Sequence, residues 1–196
     1  MRHDHSTRRG GMTSGDTTAS VCIRDAAAGD LARIIEIYNS AIPGGRATAD
    51  TEPISTASRV AWFREHDPER HPLWVARAGA SRVEPAGGDA GDLIDGWLSF
   101  QPFYGRPAYR ATAELSVYVA ADRQRLGVGR TLLAHAIERS PALGLKTLLG
   151  FIFGHNDASL ALFERFGFVR CGELARVAEL DGIERDVVIV RLRIGE

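Results

Sequence analysis

The sequence predicts a single mixed α/β domain, and three observations lead to this fold class. The length of 196 residues suits one ordinary domain with a sizeable core. From Val21 onward, strand-like and helix-like patterns of apolar residues alternate, ending in a β-α-β-α-β-β order. The segment 146–153 is almost wholly apolar, which is typical of a central strand covered on both faces. A sheet with helices packed on it is the architecture that satisfies such a pattern.

The N-terminal segment has a different composition from the rest of the chain. Residues 1–20 are polar, rich in Gly, Ser and Thr, and without hydrophobic periodicity. Such a segment buries too little apolar surface to offset the entropy of ordering it. We therefore expect a disordered tail at 1–20 and one domain at 21–196.

The first half of the domain is predicted to contain three strands and two helices. In chain order these are a strand, two helices and the two strands of a hairpin, at 21–24, 30–41, 56–66, 73–77 and 93–100. The inner face of the first helix carries Leu31, Ile34, Ile35 and Tyr38. Pro43-Gly44-Gly45 ends that helix, and the Gly- and Ala-rich stretch 79–92 is predicted to be a surface loop.

The second half alternates strands and helices and ends in two strands. The predicted segments are 113–120, 126–140, 146–153, 156–166, 168–174 and 187–194, of which the second and fourth are helices. Gly167 stands in the C′ position, where a residue with positive φ commonly ends a helix. No internal repeat is visible, so the whole segment belongs to one domain.

Charge and cysteine content exclude several classes of function. A formal net charge of −1 argues against a nucleic-acid-binding protein, which would show a basic excess. Cys22 and Cys171 are too few for a disulfide framework or a zinc site, so we expect buried free thiols and no metal. The sequence shows no secretory signal and no apolar run long enough to cross a bilayer. We expect a cytoplasmic protein without a nucleic-acid or membrane partner.

A glycine-containing turn lies between the predicted strand 113–120 and helix 126–140. The first turn of a helix presents unpaired N–H groups and the positive end of the helix dipole, which bind phosphate where no side chain blocks the approach. Gly127 and Gly129 leave the approach open, and Arg125 and Arg130 add cationic donors. The two glycines alone are equally consistent with close packing at a helix start.

Two nucleotide-binding motifs are incompatible with this turn. A dinucleotide fingerprint needs a third glycine where Leu132 stands, and a Walker-type loop needs a Gly-Lys-Ser/Thr ending that is missing. The turn therefore predicts a pyrophosphate site of another type.

The turn resembles that of one acyltransferase family. Gln124-x-x-Gly127-x-Gly129 has the Q/R-x-x-G-x-G/A form of the GNAT superfamily of acyl-CoA N-acyltransferases. The strings at 113–119, 156–159 and 166–168 resemble its phosphinothricin and methionine-sulfoximine N-acetyltransferase subgroup, and the likeness spans roughly 21–194. The resemblance implies a mostly antiparallel mixed sheet of about six or seven strands with one splayed pair, flanked by about four helices.

The resemblance also implies acetyl-CoA as the cosubstrate, together with the residues that bind it. The pantetheine arm would lie in the gap of the splayed pair and bond to the main chain of Val117, Tyr118 and Val119 in the manner of an added strand. An N–H there, that of Val117, would polarise the thioester carbonyl. The pyrophosphate and the pantetheine end would contact Gln124, Arg125, Leu126, Gly127, Val128, Gly129, Arg130, Asn156 and Ser159. Asn156 has a structural alternative, since Asn is a favoured helix N-cap.

Glu114 matches the general base of the family, which takes a proton from the acceptor amine directly or through water. Apolar neighbours in a buried strand would raise its pKa toward neutrality. The alternative is a structural carboxylate paired with Arg110 or Arg176. Phe163 departs from the family, which often has Tyr or His there as the general acid, and Tyr118 is a possible substitute.

The acceptor implied by the resemblance is the primary amine of a small molecule, an amino acid or its analogue. The position that holds the substrate carboxylate in relatives is Tyr104 in this sequence, so Arg106 and Arg110 would compensate while Phe103 lines an apolar wall. The two arginines are otherwise solvated loop cations.

Other acceptors and a role without catalysis remain open on the sequence alone. An acidic cleft formed by Asp50 and Glu52 would favour a polyamine, and a protein N-terminus or a non-catalytic acyl-CoA-binding module are further alternatives. Relatives commonly form homodimers, for which the alternating apolar strand 187–194 is the predicted sheet edge.

Overall fold

The structure is a computed structural model that describes residues 21–79 and 94–195. The predicted tail at 1–20 and residues 80–92 of the predicted surface loop lie outside the described residues.

One sheet of seven strands forms the centre of the described chain. Its strands in chain order are β1 Val21–Asp25, β2 Leu73–Ala78, β3 Gly96–Pro102, β4 Thr112–Val119, β5 Thr147–Phe153, β6 Val169–Leu180 and β7 Ile183–Arg193. Their spatial order is β1-β2-β3-β4-β5-β7-β6. The β4–β5 pair is parallel, and every other neighbouring pair is antiparallel. The predicted mixed α/β class and mostly antiparallel sheet are confirmed.

Four α-helices accompany this sheet, namely α1 Leu31–Ser40, α2 Val60–Arg64, α3 Val128–Arg139 and α4 Asp157–Arg165. Alternation along the strands divides the core into two clusters. One contains Leu98 and Leu115 with side chains of α3 and α4, and the other contains Trp97 with Ile34 and Ile37 of α1. The two sides of the sheet are thus covered by different helices.

Several predicted boundaries and faces needed correction. α2 is shorter than the predicted 56–66, because residues 57–59 form a 3₁₀ turn instead. α3 begins at Val128 rather than 126, because Arg125 and Gly127 have positive φ values of 63° and 87°. In α1, Ile37 is fully buried, whereas Tyr38 is only half-buried.

The prediction that the terminal strand is a sheet edge was wrong. β7 lies between β5 and β6, because its apolar side chains Val188 and Val190 pack into the core from an interior position. The edge on that side is β6, most of which is exposed, including Cys171, which was predicted to be buried. Homodimer formation stays a prediction, without the surface first assigned to it.

Within residues 21–79 and 94–195, no helix has both the length and the apolar composition needed to cross a membrane. The same stretches hold no group of three or more His, Cys, Asp or Glu side chains placed to bind a metal ion.

Candidate active site

The central feature of the site is the separation of the two parallel strands. β4 and β5 pair only at Thr112, Ala113 and Glu114, opposite Thr147, Leu148 and Leu149. On its other side, β4 stays paired with β3 along its length, from Ala113 to Val119. The sheet therefore opens between β4 and β5 beyond Glu114, as the resemblance implied.

The backbone of β4 directs alternate residues into this opening. The Phe103 N–H donates to Thr112 O and the Ala120 N–H donates to Asp95 O, so the even-numbered residues of β4 bond towards β3. In an antiparallel ladder the intervening residues point their N–H and C=O groups the other way. The peptide groups of Leu115, Val117 and Val119 consequently face the gap, with no β5 residue opposite in the register.

A cleft of about 450 Å³ occupies the opening. Its walls include Glu114 and Val117 of β4, Phe151 of β5, and Val177 and Val187 of the β6–β7 hairpin. Asn156 and Ser159, at the start of α4, also line it. The cleft is thus apolar on the hairpin side and offers unpaired backbone groups on the β4 side.

The start of α3 lies at the end of β4 and has the features of an anion site. Gly127 is the N-cap residue and has no side chain, so no capping side chain occupies the N–H groups of the first turn. A Cβ at Gly127 would meet nothing within 4 Å, and at Gly129 it would meet Val119 at 3.4 Å. The open N–H groups and the open space at Gly127 together fit a phosphate ligand.

The predicted pyrophosphate residues surround this helix start in different ways. Gln124, Arg125, Leu126 and Arg130 are exposed. Val128 is 1% exposed and its side chain belongs to the core, so only its main chain could take part in binding an anion. Asp122, which would repel an anion, lies 3.3 Å from Arg123 in an ion pair.

Glu114 is the last residue of β4 that still pairs with β5. Its side chain is half-buried, and this burial raises the pKa of the carboxyl above the ordinary value for glutamate. No ion pair or hydrogen bond joins its carboxylate to another residue in the described part of the chain; Arg176 instead pairs with Glu184 at 3.7 Å. The structure thus offers no support for the alternative of an ion-paired carboxylate.

A loop at 45–47 connects the two walls of the opening, and we call it the bridging loop. The His155 ring bonds to the carbonyl of Gly45 at 2.7 Å, and the Asn156 amide donates to that of Arg46 at 2.9 Å. From β4, the Tyr118 hydroxyl donates to the carbonyl of Ala47 at 2.8 Å. Three successive carbonyls are therefore held from both sides of the cleft.

Asn156 also caps α4, since its Oδ1 accepts a hydrogen bond from the Ser159 N–H at 3.1 Å. The sequence-based alternative of an N-cap is therefore present. Because an amide side chain has further donor and acceptor capacity and Asn156 lines the cleft, a cofactor contact stays a prediction.

A second, smaller cleft of about 150 Å³ lies on the α1–α2 side of β4. It shares Tyr38, Ser116 and Tyr118 with the larger cleft. Its other walls include Trp62, Trp97, Ile54 and Arg59. The two clefts therefore meet on the face of β4 that carries Glu114, Ser116 and Tyr118.

Arg59 is a residue that sequence reasoning missed. It is the last residue of the 3₁₀ turn just before α2, and its guanidinium lies 5.9 Å from the centre of the Tyr38 ring. Nη2 is 3.4 Å from Asp50 Oδ2, the oxygen that also accepts a hydrogen bond from the Tyr38 hydroxyl. A cation inside a predicted amphipathic helix gives no signal in the sequence that it faces a cleft.

Comparison with known proteins identifies the family. Residues 32–168 match the model of the Acetyltransferase (GNAT) family. The chain belongs to the GNAT family of acetyltransferases.

Individual relatives agree with this assignment over most of the chain. YwnH of Bacillus subtilis strain 168 is 42% identical over 161 residues, covering 82% of this chain and 91% of YwnH. The L-methionine sulfoximine/L-methionine sulfone acetyltransferase of Pseudomonas aeruginosa is 34% identical over 178 residues, covering 89% and 95%. The structure of a phosphinothricin acetyltransferase from Sinorhizobium meliloti in complex with acetyl-CoA is 28% identical, with a TM-score of 0.78 and coverage of 90% and 89%.

This GNAT acetyltransferase has a phenyl ring at the position where the family often has an acid. Phe163 lines the larger cleft, is 5% exposed and packs against Phe168 at 4.8 Å between ring centres. Tyr118 is a poor substitute, because burial raises the pKa of its hydroxyl and its proton is donated to Ala47 O. Neither side chain is suited to protonating a leaving group.

The predicted acceptor residues at 103–110 lie apart from both clefts. Phe103 packs against Tyr104 and Tyr109, and Tyr104 is 76% exposed. Arg106 and Arg110 are exposed as well, and none of these residues lines either cleft. Their part in acceptor binding by this GNAT acetyltransferase stays a prediction.

Proposed function

We propose that this acetyltransferase transfers the acetyl group of acetyl-CoA to the primary amine of an amino acid or a close analogue, by direct attack in a ternary complex. The observation that carries the proposal is the half-buried carboxylate of Glu114, which has no partner among the described residues and stands at the point where β4 leaves β5. That position puts a proton acceptor on the strand whose following peptide groups face the open cleft.

Two parts of the chain are suited to contact acetyl-CoA. The peptide groups of Val117 and Val119 face the gap, where a pantetheine arm with its own amides can pair as an added strand does. The open N–H groups after Gly127, with Arg125 and Arg130 exposed beside them, fit the pyrophosphate. When bound, acetyl-CoA supplies an activated acyl carbon.

Glu114 would take the proton that the acceptor amine must lose. An ammonium group has no lone pair, so attack requires a neutral amine. A carboxylate whose pKa is raised by burial holds a proton more readily near neutral pH than an exposed glutamate does. The Val117 N–H, which points into the gap, is placed to donate to the carbonyl oxygen on which negative charge develops.

No side chain at Phe163 or Tyr118 protonates the departing sulfur in this scheme. A thiol has a pKa of about 8.5, so the thiolate is a tolerable leaving group near neutral pH and water can protonate it. The chemistry therefore does not require a dedicated acid.

The smaller cleft favours an acceptor with apolar and anionic parts over a polyamine. Its aromatic walls suit a methylene chain, and Arg59 lines it. Asp50 is engaged by Tyr38 and Arg59, and Glu52 is exposed, so the acidic lining that a polyamine would need is not formed by them. Relatives named for methionine sulfoximine, methionine sulfone and phosphinothricin support amino-acid analogues as acceptors.

The test is release of free thiol from acetyl-CoA in the presence of single amines. The panel contains L-phosphinothricin, L-methionine sulfone, L-methionine, spermidine and an N-terminal Ser/Ala peptide. We expect turnover with the amino-acid analogues and little with spermidine or the peptide. Micromolar binding of acetyl-CoA without turnover on any amine would instead indicate a non-catalytic module.

A further inference from the structure

Arg59 occupies a position from which it can select the acceptor. We propose that Arg59 binds the oxo or anionic group at the end of the acceptor side chain, while the amine lies near Glu114. This inference rests on the proposed function, because it assigns one end of the acceptor of that same site. It places the α-carboxylate elsewhere.

The first argument is the charge of the smaller cleft. Arg59 is the one charged side chain among the described residues that line it. The remaining walls are aromatic and aliphatic side chains with three neutral polar groups, Ser99, Gln101 and Ser116. A ligand that enters this cleft with a negative or strongly polar terminus finds a single cationic partner there.

The second argument is that the guanidinium is held in place but keeps donors to spare. Its contact with Asp50 Oδ2, at 3.4 Å, is longer than the 2.7–2.9 Å or so of a charge-assisted hydrogen bond. Asp50 is already oriented by the Tyr38 hydroxyl at 2.6 Å, on the same oxygen. An arginine carries several N–H donors in a planar fork, so it can bind a further oxygen while it stays above the Tyr38 ring.

Arg59 and Glu114 lie at different ends of β4. Glu114, Ser116 and Tyr118 share one face of β4, and residues four apart on a strand are separated by about 13 Å. Arg59 lies at the Tyr118 end, because the Tyr38 ring beneath it is 5.1 Å from the Tyr118 ring. Arg59 therefore lies beside the Tyr38 ring, which packs on Tyr118, whereas Glu114 stands four residues before Tyr118 on β4.

An extended amino-acid analogue with a hydrogen bond at each end has a length of the same order as the Glu114–Tyr118 spacing along β4. Five covalent bonds from the amine nitrogen to the terminal oxygen span about 6 Å. Two hydrogen bonds of about 2.8 Å each, one at either end, bring the total to about 12 Å. The α-carboxylate, only about 3.5 Å from the amine, is too short to reach. Phosphinothricin and methionine sulfone both carry oxygen at the end of a two-methylene side chain.

The test compares Arg59→Gln with the wild type on acceptors that differ in the terminal group alone. For L-phosphinothricin we expect kcat/KM to fall about 10- to 100-fold, as for loss of a charge-assisted hydrogen bond, mainly through KM. L-methionine sulfone should lose less, and L-methionine should change by less than about threefold. Arg59→Lys should recover part of the loss for phosphinothricin. Arg64→Gln, an exposed arginine at the end of α2, is the matched control.

Two outcomes would overturn the assignment. An equal loss on all three acceptors would mean that Arg59 only supports the fold, and melting temperatures of both variants would show this independently. A loss that disappears with the α-amide of phosphinothricin would mean that Arg59 binds the α-carboxylate.

Failure of the proposed function would be seen separately. If the wild type acetylates none of the amino-acid analogues, that function is refuted, whereas calorimetric binding of L-phosphinothricin to the CoA-saturated protein still tests Arg59. Binding to the wild type that is lost in Arg59→Gln would support the inference, and an absence of binding to the wild type would overturn it.

Discussion

Replacing Glu114 by Gln removes the proposed proton acceptor while keeping the shape of the side chain. The carboxylate has no partner among the described residues, so the change breaks no ion pair, and its partial burial raises the pKa that the mutation abolishes. A general base contributes about 10²- to 10⁴-fold in rate. Because half-exposed Glu114 leaves water able to accept the proton instead, we expect the lower part of that range, a 10²- to 10³-fold fall in kcat, or about 3–4 kcal/mol in activation free energy.

The pH dependence sharpens this prediction. In the wild type, activity should rise with pH through the raised pKa of Glu114, above the ordinary value for glutamate, and then level off. In Glu114→Gln, activity should keep rising towards the pKa of the acceptor amine itself, since only the already neutral amine reacts. The ratio of wild-type to variant rates should therefore shrink at high pH.

Thiol release measures turnover and calorimetry measures acetyl-CoA binding. The affinity for acetyl-CoA should stay within about threefold, because the proposed cofactor contacts are made by backbone groups and the start of α3. Glu173→Gln, an exposed glutamate of β6, is the control. A loss of less than about fivefold in Glu114→Gln, or an unchanged pH profile, would refute the role of Glu114.

Three further predictions concern packing, capping and protonation. Gly150→Ala places a Cβ 2.9 Å from Phe163 Cε1, so chemical denaturation should show a loss of about 1–3 kcal/mol in unfolding free energy. Gly154→Ala, whose Cβ would have its nearest atom at 3.5 Å, should lose less, and equal losses would contradict the steric explanation. Asn156→Ala removes the α4 cap and one hydrogen bond to the bridging loop, so the free energy of unfolding should fall by about 1–2 kcal/mol. Asn156→Asp keeps the capping acceptor and should recover most of that loss, which chemical denaturation of both variants measures. Burial lowers the pKa of His66, whose Nε2 is buried without a partner among the described residues. The unfolded chain therefore binds a proton more readily at this residue, and the stability of the fold should fall as pH drops below about 6.5. A His66→Gln variant that loses as much melting temperature as the wild type between pH 7 and pH 5 would contradict this role of His66.

The local secondary structure and the parts of the site shared with the family could be predicted from the sequence. Periodicity located most strands and helices to within a few residues, because apolar spacing is a local property. It missed the middle of the β6–β7 hairpin, where β6 extends to Leu180 instead of ending at 174 and β7 begins at Ile183 instead of 187. The left-handed Gly167 after α4 and the capping Asn156 were also accessible, since both depend on residue types at fixed offsets. The separation of β4 from β5 was predicted only from the resemblance, since no residue pattern in either strand indicates it.

What the sequence did not carry depends on contacts between distant segments. The alternating pattern at 187–194 suits either an edge or an interior strand. The strand lies in the interior because β6 folds back and pairs with the outer side of β7. Arg59 was missed and the 103–110 segment was favoured for the same reason. Which cation faces a cleft depends on how α2 packs against the sheet, which residue spacing does not record.

The opening between β4 and β5 gives the sheet two unpaired strand edges inside the protein, in addition to the two at its rims. An unpaired edge ordinarily invites any extended chain to add to it, and aggregation is the common result. Here the bridging loop closes the opening from one side, tied to both walls, and the β6–β7 hairpin lines the other. The loop hydrogen bonds thus protect the protein from its own binding edge, and variants that release them should be more prone to self-association.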